Sequence, residues 1–292
     1  MTSLSEARDR ATVVVVGRSD RPEARKTAQR AVDWLAQHGH TVVALPQDIA
    51  VLAVDRLEAR DDPFSSADLV LSIGGDGTML RAVSLVNGRP VPVLGVNVGL
   101  LGYLAEVEPA NLEASLDRFF TGQYVTERRL VLEVEVRHLD GRRHVLRALN
   151  EASFEKTKSG QTIRLAVRID DVPFTTFQAD GLLVATPTGS TAYALSARGP
   201  IVSPTHQAIL VTPLAPHMLF DRSLVLDSTE TVDVEVVGDR EVVMAVDGQE
   251  VCSLAVGDSV FCRTSASPAI FVSLEPNRFH QVLKAKFGLA DR

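Results

Sequence analysis

Residues 69–82 read LVLSIGGDGTMLRA: a mostly apolar run ends on Gly74 and Gly75, a single carboxylate, Asp76, stands between glycines, and helix formers follow. A strand, a glycine-rich turn and a helix in succession present backbone N–H groups and the positive end of the helix to an anion. In that setting Gly74 and Gly75 admit a phosphate close to the backbone, Gly77 accepts unusual dihedrals, and Thr78 caps a helix beginning at Met79. A lone carboxylate among anion-binding amides is electrostatically awkward as a structural choice. It is useful as a proton acceptor for a hydroxyl attacking a phosphoryl group. The plainer alternative is a tight turn with Asp76 as polar filler, since one glycine-rich turn is weak evidence by itself. The stretch is not a Walker A loop, because no GK[ST] follows, and it is not a GxGxxG dinucleotide fingerprint.

Three further stretches weigh against the plain turn. Residues 95–107, GVNVGLLGYLAEV, end another apolar strand on a glycine-spaced loop in which Asn97 and Tyr103 can face the same crevice. Residues 149–156, LNEASFEK, set Asn150 and Glu151 side by side in an apolar strand, although such a pair also suits a strand edge or turn. Residues 177–204 contain ATPTGSTAYALSA, which crowds Thr186, Thr188, Ser190 and Thr191 onto a turn leading into a short helix, with Tyr193 as an aromatic face. Hydroxyls and N-terminal amides there suit the polar edges of a nucleotide; a Ser/Thr helix cap explains one hydroxyl but not the cluster.

The elements that must position these groups follow from periodicity. Residues 12–17 (TVVVVG) are apolar and β-branched, a helical spacing of Ala28, Val32, Leu35 and Ala36 comes next, and TVVAL at 41–45 returns as a strand. The runs at 69–73 and 91–99 are apolar on both faces, as strands covered by helices on both sides are. The first ~120 residues therefore read as an open, doubly wound α/β domain with ligands beyond the carboxyl ends of its strands. After a helical stretch at 109–122 the pattern changes to alternating strands at 130–136, 162–169, 231–237 and 241–246, separated by LDGR, VGDR and VDGQ turns, which is an antiparallel β domain. The chain has 292 residues, 45% hydrophobic, with a formal net charge of −7, so a core for two domains is affordable and a nucleic-acid or anionic-membrane surface is not expected. No segment approaches the roughly 20 apolar residues of a membrane span, and a cytoplasmic location is expected. Cys252 and Cys262, in apparent neighbouring strands, read as free thiols.

Taken in order, GGDGT, GxNxGxLGYL, LNE and DGLLVATPTGSTAYALSA resemble the NAD kinase family, ATP-dependent enzymes that phosphorylate NAD to NADP. The resemblance runs from about residue 12 to the C-terminal helix and includes PHMLFDRSLVL at 216–226 and DGQ at 247–249; GGDG alone is shared with lipid kinases and phosphofructokinases, whereas TPTGSTAY is far more specific. It implies an N-terminal α/β domain (1–122), a C-terminal β domain binding NAD (123–275), and a last segment (276–292) packing back on the first, with the active site between the domains. Asp76 then matches the catalytic base that accepts the proton of the adenosine 2′-hydroxyl, with Gly77 beside it. Asn150 and Glu151 match the pair that contacts the dinucleotide, Asp180 the acid of the DG motif, and Gln249 the DGQ position. Thr188 belongs to the hydroxyl turn, and Thr191, Ala192, Tyr193, Ala194, Leu195 and Ser196 match the helix that holds adenine and ribose. ATP as donor, Mg2+ or another divalent metal, and a homodimer or homotetramer are implied as well; no protein ligand set for the metal is expected.

Two positions depart from the family pattern. Gln178 stands where many relatives have Arg, and a neutral amide can donate to phosphate but brings no charge. Arg198 replaces a glycine in ARGP; if that position is left-handed the arginine costs about 1–2 kcal/mol, and it is also placed to supply the charge Gln178 lacks. Lys156 and Lys158 suit phosphates or a solvated hairpin tip, and no histidine pair has metal-ligand spacing on a helix face. The competing functions are a lipid or sugar kinase built on the same GGDGT loop and a non-catalytic NAD-binding regulator.

Overall fold

A computed structural model describes residues 10–17, 22–275 and 278–289. Parts of the expected closing segment, 276–277 and 290–292, lie outside them. The chain runs β1 (Thr12–Gly17), α1 (Pro22–Gln37), β2 (Thr41–Ala44), α2 (Pro46–Leu52), β3 (Glu58–Ala59), β4 (Leu69–Gly74), α3 (Asp76–Val86), β5 (Pro92–Asn97), α4 (Leu112–Phe120) and β6 (Val125–Arg129). It continues through β7 (Leu132–Arg137), β8 (Arg143–Ala148), β9 (Glu151–Lys156), β10 (Ile163–Ile169), β11 (Val172–Ala179), β12 (Gly181–Ala185), α5 (Tyr193–Ser196), β13 (Ala208–Leu214) and β14 (Leu224–Asp227). The last elements are β15 (Val232–Val236), β16 (Val242–Val246), β17 (Gln249–Leu254), β18 (Ser259–Thr264), β19 (Ala269–Ser273) and α6 (Arg278–Phe287). Two compact units result: one of residues up to 128 together with those from 269 on, the other of residues 129–268.

The first unit is built on a seven-stranded sheet ordered β3-β2-β1-β4-β5-β19-β6, in which β3 through β19 pair in parallel. Val13, Val15, Leu69, Leu71, Ile73, Leu94 and Val96 join Ala28, Val32 and Leu35 of α1 and Leu112 and Leu116 of α4 in one core. The intervening strand residues Val14, Val16 and Val70 are equally buried, so the sheet is covered on both faces, as its unbroken apolar runs require. On that second face α3 packs so closely that a Cβ on Gly95 of β5 would lie 2.6 Å from the Met79 sulfur. Along α1 the buried stripe is completed by Ala24 and Ala31, whereas Ala36 is exposed. The strand order reverses direction between β1 and β4, the switch point at which doubly wound sheets leave a crevice, and the GGDG turn leaves β4 there.

The second unit consists of two six-stranded sheets, ordered β11-β10-β15-β18-β7-β8 and β14-β13-β12-β9-β16-β17, antiparallel throughout. Alternate residues of each, such as Val134, Leu165, Val234 and Val260 from one and Phe154, Leu182, Val211 and Met244 from the other, meet in a single core. Strand β12 is buried on both faces, because Leu183 and Ala185 on its outer side pack with Leu210 against Ala194 of α5. The sequence pattern gave the strands but not their division into two sheets, and this corrects one expectation: Cys252 lies in β17 and Cys262 in β18, strands of different sheets. Both are free thiols, Cys262 buried with its pKa pushed up to about 12 by desolvation.

The units divide at 128/129 and 268/269, not at 122/123 and 275/276. Strand β6 extends the first sheet past residue 122, and β19 inserts beside β5 before α6 begins.

Candidate functional site

In the first unit the site is organised around Asp76. Helix α3 begins at Asp76 itself, with Gly75 as its N-cap and no side-chain cap, so Thr78 is not the cap expected from the sequence. Thr78 is buried in the first turn, where its backbone N–H donates to Gly75 O at 2.9 Å. The turn folds so tightly over the strand end that a Cβ on Gly74 would lie 2.2 Å from Thr78 Oγ1. Gly74 is thus the position that must be glycine. Gly77 is an exposed residue of the first helical turn with open space around its Cα and no left-handed dihedral, contrary to the reading of its role.

The Asp76 carboxylate is held by the loop that follows β5: Tyr103 N–H donates to Oδ2 at 2.8 Å and Leu104 N–H to Oδ1 at 3.0 Å. Gly102 makes this approach possible, since a Cβ there would sit 2.1 Å from Asp76 Oδ1. Each carboxylate oxygen keeps a further lone pair for a substrate proton. The Tyr103 phenol is raised above its usual pKa by desolvation and by the Asp76 charge. Asn97 stands in register with Gly74 at the ends of β5 and β4, and its buried Oδ1 has no partner. Helix α3 is anchored from its other end of the first two turns by Arg81, which makes a bidentate pair with the buried Asp48 of α2 at 2.6 and 3.0 Å.

In the second unit Asn150 and Glu151 open β9, and what fixes them is a residue that sequence reasoning passed over. Asp247 accepts the backbone N–H groups of Leu149, Asn150 and Glu151 at 2.9, 2.7 and 3.2 Å. It can do so because Asp247 and Gly248 form the two-residue turn between β16 and β17 with both φ values positive, 49° and 75°. The DG dipeptide was the available signal, but Gln249 was singled out instead; it is exposed at the start of β17. From the other side the TPTGST turn lies on the same backbone: Thr186 Oγ1 donates to Leu149 O at 2.5 Å and Thr186 N–H to Asn150 O at 2.8 Å. A Cβ on Gly189 would meet Asn150 O at 2.1 Å.

Glu151 is 5% exposed, and its Oε2 has no partner. Desolvation, with Asp247 nearby, raises its pKa to about 7, against a backbone hydrogen bond from Tyr193 that pulls the other way. Glu151, Ser153 and Glu155 share one face of β9. Glu155 accepts Tyr193 OH at 3.0 Å and Ser153 Oγ at 3.1 Å, and the tyrosine pKa rises to about 12, by desolvation first and by these carboxylates next.

Most of the crowded hydroxyls turn out to be structural. Ser190 Oγ donates to Pro187 O at 2.7 Å and accepts from Val202 N–H at 3.0 Å, and Thr191 Oγ1 donates to Thr188 O at 3.2 Å. Thr188 differs: it is 4% exposed and its Oγ1 has no partner. In α5 Ala194 is a fully buried core residue, Leu195 is half-buried like the N-cap residue Ala192, and Tyr193 and Ser196 are exposed. Asp180 is paired with Lys156 at 2.7 Å, so Lys156 is a strand residue with a partner and not a hairpin tip; Lys158 is exposed. Gln178, exposed on β11, donates to Thr162 Oγ1 at 3.3 Å and is not part of the Glu151 and Tyr193 group. Arg198 follows α5 with φ of 62°, the left-handed conformation that its replacement of glycine makes costly. Among the described residues no three His, Cys, Asp or Glu side chains converge as a metal cage, and no helix is long and apolar enough to cross a membrane.

Comparison with known proteins places these features in a family context. Residues 13–124 match the ATP-NAD kinase N-terminal domain and residues 149–274 the ATP-NAD kinase C-terminal domain. The chain is 37% identical over 281 residues to an NAD kinase of Heliobacterium modesticaldum, covering 94% of this chain and 98% of that protein. It is 36% identical over 284 residues to one of Syntrophotalea carbinolica, covering 95% and 98%. Among solved structures, yeast NADH kinase complexed with NADH superposes with a TM-score of 0.91 at 26% identity, over 98% of this chain and 89% of that one. An NAD kinase from Archaeoglobus fulgidus in complex with ATP gives 0.75 at 26% identity, over 96% and 100%.

Proposed function

This chain belongs to the ATP-NAD kinase family and phosphorylates NAD to NADP, and from that premise we propose that Asp76 is the base of the transfer. The observation that carries the reading is a carboxylate at the N-terminus of α3, beyond the carboxyl end of β4 at the switch point, aimed by the Tyr103 and Leu104 amides. The 2′-hydroxyl of the adenosine ribose gives its proton to Asp76 while its oxygen forms a bond to the γ-phosphorus of ATP. The bond from that phosphorus to the β,γ-bridging oxygen breaks and ADP leaves. No protein nucleophile is needed, since phosphoryl transfer rests on positioning, a base and charge neutralisation.

In the second unit, Glu151 with its unpartnered oxygen, the Asn150 side chain, the Thr188 hydroxyl and Tyr193 are the groups that bind the dinucleotide. Asp247 sets the backbone of Glu151 and Asn150, and Ala192, Leu195 and Ser196 flank the adenosine from α5 and its N-cap. Asp180, Gln178 and Gln249 add polar contacts. A divalent cation, Mg2+ in the first instance, fits as a companion of the triphosphate: the described residues offer single carboxylates and no cage, and Mg2+ commonly keeps several waters and is held through substrate phosphates. When bound it would neutralise charge on the β- and γ-phosphates. A cytoplasmic homodimer or homotetramer completes the reading.

The test is direct. The purified chain with ATP, Mg2+ and NAD forms NADP, whereas the analogue carrying 2′-deoxyadenosine binds and accepts no phosphate. Phosphorylation of that analogue would overturn the assigned acceptor, and binding of NAD without ATP consumption would return the regulator as the better description. Asp76→Asn keeps the fold and lowers turnover by roughly 10²–10⁴, the range for loss of a general base; near-normal turnover would remove Asp76 from that role.

A further inference from the structure

The segment Gly102 to Glu106 has two sides. On one, its Tyr103 and Leu104 amides hold both oxygens of Asp76. On the other, the C-terminal return of the chain grips it at three points. Glu106 Oε1 accepts the backbone N–H groups of Leu274 and Glu275 at 2.8 and 2.7 Å. Arg278 Nη2 donates to Ala105 O at 2.8 Å, and Lys286 Nζ stands 4.7 Å from the centre of the Tyr103 ring. In α6 Val282 is the one buried side chain among the described residues, with Phe279 and Leu283 half-buried. Beside α6 there is a cavity of about 480 Å³, lined by Leu101, Glu106, Arg118, Arg278 and Val282 among others. The Lys286 and Arg278 contacts thus fall on Tyr103 and Ala105, one of the two residues whose amides aim the carboxylate and the residue next to the other.

We propose that α6 is a positioning element for phosphoryl transfer: Arg278 and Lys286 fix the Gly102 to Glu106 segment so that the Tyr103 and Leu104 amides hold Asp76 in its reactive orientation. The inference rests on the reading of Asp76 as the base. A free loop samples many backbone states, and each ordered residue costs entropy that some contact must offset. Here the contacts that do so come from the far end of the chain. Arg278 and Lys286 touch no reacting atom in this account, and their effect runs entirely through the loop.

The experiment uses the full chain and measures kcat and KM for NAD and for ATP in Arg278→Met, Lys286→Met, Lys286→Arg and Asp76→Asn, and in each methionine variant combined with Asp76→Asn. Arg278→Met lowers kcat by about 10- to 100-fold, the scale of a misplaced catalytic group, and Lys286→Met by about 3-fold, with both KM values within about 2-fold. Lys286→Arg retains the cation over the ring and most of the turnover. On the Asp76→Asn background neither methionine substitution lowers kcat further, because the group they position is gone. The inference is overturned if folded Arg278→Met and Lys286→Met keep wild-type kcat, if their effect falls on KM, or if their losses multiply with that of Asp76→Asn. Should Arg278→Met fail to fold, the exposed Lys286 decides the matter. Normal turnover in Asp76→Asn would sink the base itself, whereas a dead Asp76→Asn beside an unaffected Lys286→Met would sink only the role of α6.

Discussion

Gly102→Ala adds one methyl group at the most crowded point of the site. An ideal Cβ at residue 102 would lie 2.1 Å from Asp76 Oδ1, 2.6 Å from Cγ and 2.9 Å from Oδ2, and real Cβ contacts essentially never fall below 3.0 Å. The carboxylate or the loop must therefore give way by about 0.9 Å, the difference between 3.0 and 2.1 Å. The two hydrogen bonds that now measure 2.8 and 3.0 Å do not survive such a displacement in their present geometry. Hydrogen bonds to a charged acceptor contribute about 1.5–3 kcal/mol each, and a misplacement of about 1 Å costs on the order of 100-fold in rate. The alanine backbone itself is unstrained, because Gly102 is not among the residues with positive φ. Loss of turnover with a retained fold is thus expected: kcat for NADP formation at saturating ATP and NAD falls about 100-fold, while the far-UV spectrum is kept. If Gly102→Ala folds and turns over within about 3-fold of the parent, the geometry of the Asp76 contact does not govern the reaction, and the reasoning fails.

Arg198→Gly relieves a left-handed arginine with φ of 62° and raises stability by roughly 1 kcal/mol, about 2–4 °C in melting temperature for a chain of this size; a simultaneous rise in KM for a nucleotide identifies the lost cation as a phosphate contact, and unchanged melting removes the strain argument. Glu151 has its folded pKa raised from 4.5 to about 7, so between those values the folded state binds more protons than the unfolded one and this group's contribution to stability declines as pH rises, levelling above about 7. Glu151→Gln removes that slope, worth on the order of 3 kcal/mol across the window, and denaturant titrations at pH 4.5 and 7.5 that show the same pH difference in both proteins would contradict it. Asp48→Asn breaks the bidentate pair that ties α2 to Arg81 of α3 and costs about 3 kcal/mol, read as a drop in the denaturation midpoint; an unchanged midpoint would mean the pair is neutral.

What the sequence determined is everything whose cause is local. Strand β4, the glycines after it and the helix formers beyond set Asp76 at a strand-to-helix turn, because apolar runs and turn residues act over a few positions. The same locality made the alternating strands of the second unit legible, together with the short helix after TPTGST. It did not resolve which hydroxyls were free: Ser190 and Thr191 are bound within the turn and Thr188 is not, a distinction made by the carbonyls that folding brings near. Nor did it place the start of α3, since the cap is decided by the fit of Gly74 against Thr78 and not by the nearest hydroxyl. Only tertiary structure brought Asp247 onto the amides of residues 149–151, nearly a hundred positions earlier in the chain, and α6 onto the loop that holds Asp76. Neither contact leaves a periodic trace, because its partners are chosen by the pairing of β16 with β9 within one sheet and by the return of β19 beside β5, and the geometry of the carboxylates follows from those long-range closures.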